Sequence, residues 1–487
     1  MALSIRVALL NGPATPHFAR TGRWQATARG ASLWYPIWLA AAGARLEAAG
    51  VPVTLIDAPA EGLDLPATLT RLQAFHPDLV VIDTSTASIT YDLQTAQAVK
   101  SSLRPPPRTC LVGPHASALP ESVLSAAGVD FVAIGEYDET LYELAVRLQE
   151  DPSTDGANLA GLWGKNAGGE VRNPPRPLIA DLDALPFASS FLARHLDVHW
   201  YGLDFTLHPY MTIMTSRGCP FRCTYCLWPQ TLSRGTFRER SLDHVFKEIE
   251  SVCHLRPAIR EIFFDDDTFC VRPERVREFV DRYRLGRYGL PFSVNARADI
   301  TDASLLEAMR DAGLRCVVVG FESGTQAILD AVRKGTRLDR MREFARICRA
   351  LGIQVHGDFV IGLPGETKET IRRTVAFAKR LGLSTFQIAI AQPLPGTAFY
   401  DWVKSHGYLT TSDFREWVDA DGRQRCVISY PDLTAAEMDV AVRQAIREFY
   451  LSASFLASAL RNILRNPREI WRYAWGGMRL FRFFFGG

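Results

Sequence analysis

No uncharged apolar run in this chain reaches 18 residues, so no helix is expected to cross a bilayer. No G-x-G-x-x-G occurs, which argues against a dinucleotide site. Neither an internal repeat nor a low-complexity tract interrupts the 487 residues, a length that suits about two to four domains. The opening stretch Met1–Leu10 is short and broken by Arg6, unlike a signal peptide. A net charge of +2 argues neither for nor against nucleic acid. Six of the nine cysteines (Cys110, Cys253, Cys270, Cys316, Cys348, Cys426) are scattered through apolar or helical contexts and do not form a disulfide framework. The other three are clustered.

Those three lie in Cys219-Pro220-Phe221-Arg222-Cys223-Thr224-Tyr225-Cys226, a C-x3-C-x2-C spacing just after the apolar run Tyr210–Met214. Thiolates are soft ligands that favour iron–sulfur clusters, zinc or Cu(I). A [4Fe–4S] cube ordinarily takes four cysteines. Three on one tight loop leave one iron open. Structural zinc is the competing reading, but zinc ribbons pair C-x2-C knuckles or add histidine to complete four ligands. His208, His244, Cys253 and His254 are the nearest candidates, with no second knuckle. An oxygen-labile cluster implies a reducing cytoplasm.

Residues 1–150 read as an α/β domain. Apolar strands Val7–Leu10, Val53–Asp57, Asp78–Ser85, Thr109–Gly113 and Phe131–Glu136 alternate with helical segments, the pattern of a doubly wound parallel sheet. Ligands of such sheets bind beyond the carboxyl ends of the strands. Those ends are small or polar here: Asn11-Gly12-Pro13, Thr84-Ser85-Thr86, Gly113-Pro114-His115 and Gly135-Glu136. The aromatic stretch Arg23–Leu39 has two readings, a pocket lining and ordinary core packing. Residues 151–195 read as a linker, with a small hairpin near Leu162–Val171 and an extended crossing. From 196 to 400, six strand–helix units predict an open, partial (β/α)6 barrel of TIM type. Residues 401–487 read as a helical region with a basic, aromatic tail.

The cysteine spacing resembles that of the radical S-adenosylmethionine (SAM) enzymes. In that family the open iron chelates the amino and carboxylate groups of SAM, and an electron from the cluster yields a 5′-deoxyadenosyl radical. The resemblance makes Cys219, Cys223 and Cys226 the cluster ligands. It also implies SAM contacts from Glu322 and Ser323 at a strand end, from Arg297 as a fork for the SAM carboxylate, and from Gly362 where backbone approaches adenine. Tyr225 stands where the family has an aromatic beside adenine. Asp266 belongs to the run Asp265-Asp266-Asp267, which stands in place of the family's Gly-Gly-Glu motif. A solvated turn and a divalent-cation site are the other readings of that run. A flavodoxin or ferredoxin is the implied reductant.

Residues 1–150 resemble the cobalamin-binding domain found ahead of many radical SAM domains. Asn11, Ser85, Gly113, His115, Gly135 and Glu136 are its implied contacts. Within these residues no D-x-H-x-x-G follows a strand, so the implied cobalamin lacks a histidine ligand from that motif. A cobalamin-type fold without cobalamin is the other reading.

Further strings narrow the likeness: Arg217–Thr231, Phe263–Phe269, His356–Phe359 with Gly362–Thr370, and Trp34–Ala40. Together they resemble hopanoid-biosynthesis-associated radical SAM proteins of the HpnJ type, from about residue 20 to 450. That resemblance implies ring contraction of a sugar head group on a bacteriohopane lipid. C-methyl transfer to a lipid or natural product suits the same scaffold, and a non-catalytic cobalamin or cluster sensor is an alternative of another class. From residue 451 the chain has six arginines and one glutamate among aromatics. This suits either an interfacial helix on an anionic membrane, as a lipid-linked substrate would favour, or a helix docked on the body. No broader basic surface points to nucleic acid.

Overall fold

The computed structural model describes residues 4–20, 24–27, 32–166, 168–299, 302–465, 467, 469–470, 473–474 and 477. None of the nine cysteines is in a disulfide.

The first sheet has seven strands: β1 (Val7–Asn11), β2 (Val53–Asp57), β3 (Leu79–Asp83), β4 (Arg108–Val112), β5 (Phe131–Ala133), β6 (Leu162–Asn166) and β7 (Gly169–Arg172). Their order is β2-β1-β3-β4-β5-β6-β7. The first five run parallel, in the order of a doubly wound fold whose ligand crevice opens between β1 and β3. Side chains alternate between two cores. Val7 and Leu9 join one apolar cluster, and Ala8 and Leu10 join the other. That double burial is why these strands read as continuous apolar runs.

Part of the expected linker belongs to the sheet. β6 and β7 form an antiparallel hairpin that extends the β5 edge, with Phe131 opposite Gly164. A parallel edge left bare would expose unpaired backbone groups, and the hairpin covers it. Residues Ala188–His195 are also more than an extended crossing. They form a helix whose Phe191 packs on helix Ile37–Ala48, where any side chain at Gly43 would collide with its ring.

The second sheet contains β8 (Tyr210–Ile213), β9 (Glu261–Phe264), β10 (Phe292–Ala296), β11 (Leu314–Glu322), β12 (Gln354–Ile361) and β13 (Thr385–Ile390). All are parallel and neighbours in chain order, giving an open six-stranded partial barrel. One apolar cluster runs from the first sheet through Tyr35 and Tyr201 into Tyr210 and Met211 of the barrel.

The outer edge of β13 is closed by helix Ala435–Tyr450. Phe449 stacks on Phe386 at 4.3 Å. The Tyr450 hydroxyl accepts from the Phe386 amide at 3.1 Å and donates to its carbonyl at 2.8 Å. Helix Ala453–Arg465 follows, leaving Leu456, Leu460 and Leu464 exposed. Among the described residues no helix is long and apolar enough to cross a membrane. Within the tail, Glu469 docks at Arg315 of the barrel, 3.5 Å away. The tail residues Arg468, Trp471, Arg472, Trp475, Arg479 and 481–485 lie outside the described residues.

Candidate active site

The cysteine loop leaves β8 and is fixed before it reaches its first thiol. Ser216–Arg217 pairs antiparallel with Arg238–Glu239. Gly218 follows at φ +85°, and a Cβ there would collide with the Thr236 carbonyl. Asp266 at the end of β9 is buried. It accepts from the Thr215 amide at 2.9 Å and from the Ser216 hydroxyl at 2.5 Å. Burial pushes its carboxyl up to about 6, and those hydrogen bonds oppose the shift. Asp266 therefore aims the loop, whereas the sequence suggested a SAM contact. Burial raises the Cys219 thiol, and the charge of the neighbouring Asp267 adds to the rise.

Cys219 is buried with Sγ 3.7 Å from the Thr268 hydroxyl, and Cys223 and Cys226 are half-buried. Backbone bonds from Thr224 to Val332 at 3.1 Å and from Phe399 to Thr224 at 3.0 Å hold the loop's middle. The Gln230 amide holds its end, donating to the Cys226 carbonyl at 2.6 Å. Among the described residues no three His, Cys, Asp or Glu side chains close on a single ion. A cube takes one thiolate per iron, so three thiols on one rigid loop fit it; one zinc ion needs four convergent ligands.

Around this loop the strand ends bring together Glu322, Lys334, Tyr225 and Arg297. Glu322 ends β11 with φ +62°, a conformation few non-glycine residues adopt. The Lys334 ammonium donates to Glu322 Oε1 at 2.8 Å, and both side chains are buried. Gly320 makes room for the pair, since a Cβ there would collide with Glu322 Oε1. Tyr225 is half-buried, within hydrogen-bonding reach of Glu322 and close to Cys223 and Cys226. The Arg297 guanidinium lies 3.6 Å over the Phe221 ring of the cysteine loop. It also donates to Asp299 at 2.8 Å and to the Lys334 carbonyl at 2.6 Å. Lys334 and Phe221 were missed from sequence. The signal for Lys334 was the turn Arg333-Lys334-Gly335, whose flanking residues both have positive φ.

Two expected SAM contacts face elsewhere. The Ser323 hydroxyl is fully buried 3.2 Å from Thr374 on helix Lys368–Leu381, turned there as the chain leaves β11 through the positive φ of Glu322. Gly362, at φ +82°, admits the C-terminal segment: a Cβ there would meet Met438 Sδ at 2.8 Å, and its carbonyl accepts from the Tyr430 hydroxyl at 2.6 Å.

Glu366 follows in the same turn, and burial pushes its carboxyl up to about 7 against hydrogen bonds from Thr370 and Gly362. The folded chain keeps this proton where the unfolded chain, with a carboxyl near 4.5, has released it. Stability therefore falls as pH rises from about 4.5 to about 7, by about 3 kcal/mol in total. Glu366→Gln removes that loss. In denaturant titrations the variant is expected within about 1 kcal/mol of wild type at pH 5 and about 2–3 kcal/mol more stable at pH 8. Equal stabilities at pH 8 would show that the ionised carboxylate is already compensated.

At the carboxyl ends of the first sheet, Asn11 and Ser85 belong to a buried network rather than to an open surface. Asn11 donates to Asp57 at 2.7 Å and accepts from Arg20 at 2.6 Å. Arg20 also donates to Ser88 at 3.0 Å and to Asp92 at 2.8 Å, and the hydroxyls of Ser85 and Ser88 are 2.8 Å apart. Glu136 accepts from Arg238 at 2.6 and 2.9 Å and from the Ile179 amide at 3.1 Å, which ties the two sheets together. Gly113, at φ +99°, lies where a Cβ would collide with Asp83 and the Thr84 carbonyl. His115 is buried with Nδ1 3.0 Å from the Thr86 hydroxyl, and burial lowers its pKa to about 3, so the ring is neutral. Gly135 opens toward Arg234 and Leu232 across the interface.

A D-x-H-x-x-G string does occur outside the first 150 residues, as Asp197–Gly202. Its His199 is exposed and stands edge-on to His208 at 5.7 Å. Tyr35, Ile37, Trp38 and Leu39 of the aromatic stretch belong to the core. Tyr35 stacks on Tyr201 at 4.0 Å in the core, whereas Trp38 meets Trp228, two residues past Cys226, at 5.9 Å. Trp38 Nε1 and the Tyr137 hydroxyl are buried without a partner. Unmet buried donors are costly, and the peripheral carboxamides of a corrin supply the acceptors they need. The chemistry of these donors between the two sheets thus fits cobalamin.

Residues 213–378 match the radical SAM superfamily and residues 25–145 match the B12 binding domain. The chain is 31% identical over 409 residues to an uncharacterized methyltransferase of Pyrococcus horikoshii, spanning 83% of this chain and 85% of that one. It is 25% identical over 213 residues to the hopanoid C-2 methylase of Rhodopseudomonas palustris, 42% and 40% of the two chains. Its fold is similar to that of the radical SAM methyltransferase TsrM of Kitasatospora setae, with a TM-score of 0.67 and 20% identity over 91% of this chain and 89% of that one. With a paired B12 and radical SAM architecture and a relative alike along almost its whole length, the chain belongs to the radical SAM superfamily, among its cobalamin-dependent enzymes, and its cofactors are a [4Fe–4S] cluster, SAM and cobalamin.

Proposed function

We propose that this enzyme transfers a methyl group to an unactivated carbon of a small-molecule substrate. The observation that carries this reading is the likeness along most of both chains to a protein named a methyltransferase. The hopanoid C-2 methylase points the same way over a shorter stretch. Ring contraction, implied by the HpnJ-type resemblance, finds no counterpart among these relatives.

When bound, the cluster and SAM supply a hydrogen-abstracting radical, and cobalamin supplies the methyl group. The chain's own part is holding and shielding. Cys219, Cys223 and Cys226 hold the cluster at the mouth of the partial barrel. The Glu322–Lys334 pair and Tyr225 offer a carboxylate, an ammonium and a phenol at one strand end, suited to the hydroxyls and amino group of SAM. Arg297, fixed by Asp299 and stacked on Phe221, brings a positive charge to the cysteine loop. Trp38 and Trp228 close the contact between the two sheets and exclude water from it.

The test is anaerobic incubation of the reconstituted enzyme with methyl-labelled SAM, a reductant and a small-molecule extract. Methyl transfer requires S-adenosylhomocysteine to form together with a labelled product. Formation of 5′-deoxyadenosine alone, with an unlabelled isomerised product, would replace this reading by rearrangement.

A further inference from the structure

Residues Leu409–Tyr430 lie outside both matched regions, yet they touch the first domain and the barrel together. The segment is a strap held by the bridges Leu409–Ile428 and Val418–Gln424. At one end the Thr27 amide donates to the Gly422 carbonyl at 2.7 Å, and Gly422 sits so close to Thr15 that any side chain there would collide. Val418 packs with Phe18, Ala26 and Ala87 of the first domain. Trp417 packs with Leu227, the residue after Cys226, and with Leu394 beyond β13. Phe414 stands edge-on to His115 at 4.9 Å.

Two hydrogen-bond donors, one on the strap and one on the first-domain strand that the strap covers, have no hydrogen-bond partner. Trp417 is 1% exposed and its Nε1 is unpaired. Gln25 is 7% exposed; its Oε1 accepts from the Thr86 amide at 3.0 Å, but its Nε2 is unpaired. An indole N–H can only donate. A buried donor left unmet is destabilising, so Gln25 beside Thr86 and Trp417, which reaches His115 through the Phe414 ring 5.4 Å away, call for a ligand that brings acceptors.

We propose that the strap is a third wall of the cobalamin site, with Trp417 Nε1 and Gln25 Nε2 donating to carbonyl oxygens of the corrin's peripheral carboxamides. The inference rests on the cobalamin cofactor and is independent of whether the reaction is methyl transfer. In this arrangement His115 is held between Thr86 and Phe414 as part of the wall, and corrin release requires the strap to lift.

The test is equilibrium binding of hydroxocobalamin to the full-length, cluster-loaded protein, followed by absorbance after ultrafiltration. Trp417→Phe keeps the ring and removes the donor. Its Kd is expected to rise about tenfold, as for one lost hydrogen bond, with iron content and SAM binding unchanged. Gln25→Glu keeps the acceptor for Thr86, replaces the donor by an acceptor, and is expected to weaken binding at least as much. It also serves as the readout if Trp417→Phe does not fold. An unchanged Kd in a folded variant overturns the proposal. So does loss of SAM binding or iron with cobalamin affinity intact, because Trp417 would then serve the barrel side.

Discussion

Cys223→Ala is expected to give folded protein with almost no iron, no brown chromophore and no 5′-deoxyadenosine from SAM. The wild type should carry about four iron atoms per chain. The effect is this large because the loop has no spare ligand. Cys110, Cys270, Cys316 and Cys348 are buried, and Cys253 and Cys426 are half-buried at separate places in the chain. The fold should survive. Cys223 is only half-buried, and the loop is held by Asp266, Gln230 and backbone bonds to Val332 and Phe399 rather than by its sulfurs. Iron analysis and thermal unfolding of the anaerobically purified variant check both halves. A variant that kept its iron would remove Cys223 from the ligand set.

Arg217→Met is expected to cost about 3–5 kcal/mol of stability, the usual effect of stranding a buried charge. Arg217 stands two residues before Cys219 and donates to both oxygens of Asp138 at 2.9 Å. Its second carboxylate, Glu136, is 3.6 Å away, and its guanidinium lies 4.8 Å from the Trp38 ring centre. Asp138 is fully buried, so removing the fork leaves a carboxylate with neither water nor a counter-ion. Asp138 opens helix Asp138–Glu150, and the positive end of the helix dipole softens the loss. That places the expected value toward the lower end of the range. Pairing Arg217→Met with Asp138→Leu should recover more than half of the lost stability, since an ion pair replaced as a unit leaves no orphan charge. Denaturant unfolding of the two variants decides it. A single variant within about 1 kcal/mol of wild type would mean that the pair is not what joins the cysteine loop to the first sheet.

How much was legible beforehand follows from how far each signal reaches along the chain. Strands β1 to β5 and β8 to β13 announce themselves as apolar runs because both of their faces are buried. The cysteine triad is legible because all three thiols lie within eight residues. Side-chain direction is less so. Ser323 and Glu322 are neighbours, yet one faces a helix and the other the cysteine loop, and the positive φ at Glu322 that decides this has no sequence mark. Asp266 and Asp267 divide in the same way. The hairpin β6–β7 was visible as a hairpin, but its pairing with β5 depends on an edge formed about 30 residues earlier. Least legible was Val418, about 390 residues beyond the strands Phe18–Arg20 and Gln25–Thr27 that it covers.

That separation has a consequence for how the protein is made. A chain emerges from the ribosome at about 5–20 residues per second, and domains generally fold as they appear. The antiparallel strands Phe18–Arg20 and Gln25–Thr27 therefore wait about 20–80 s before residues 409–430 are synthesised to cover them. Closing so long a loop adds little entropy beyond that of a shorter one, so the delay, rather than the thermodynamics, sets the order. These two strands stand uncovered while the whole barrel sheet, which ends at Ile390, is made, and their cover follows it.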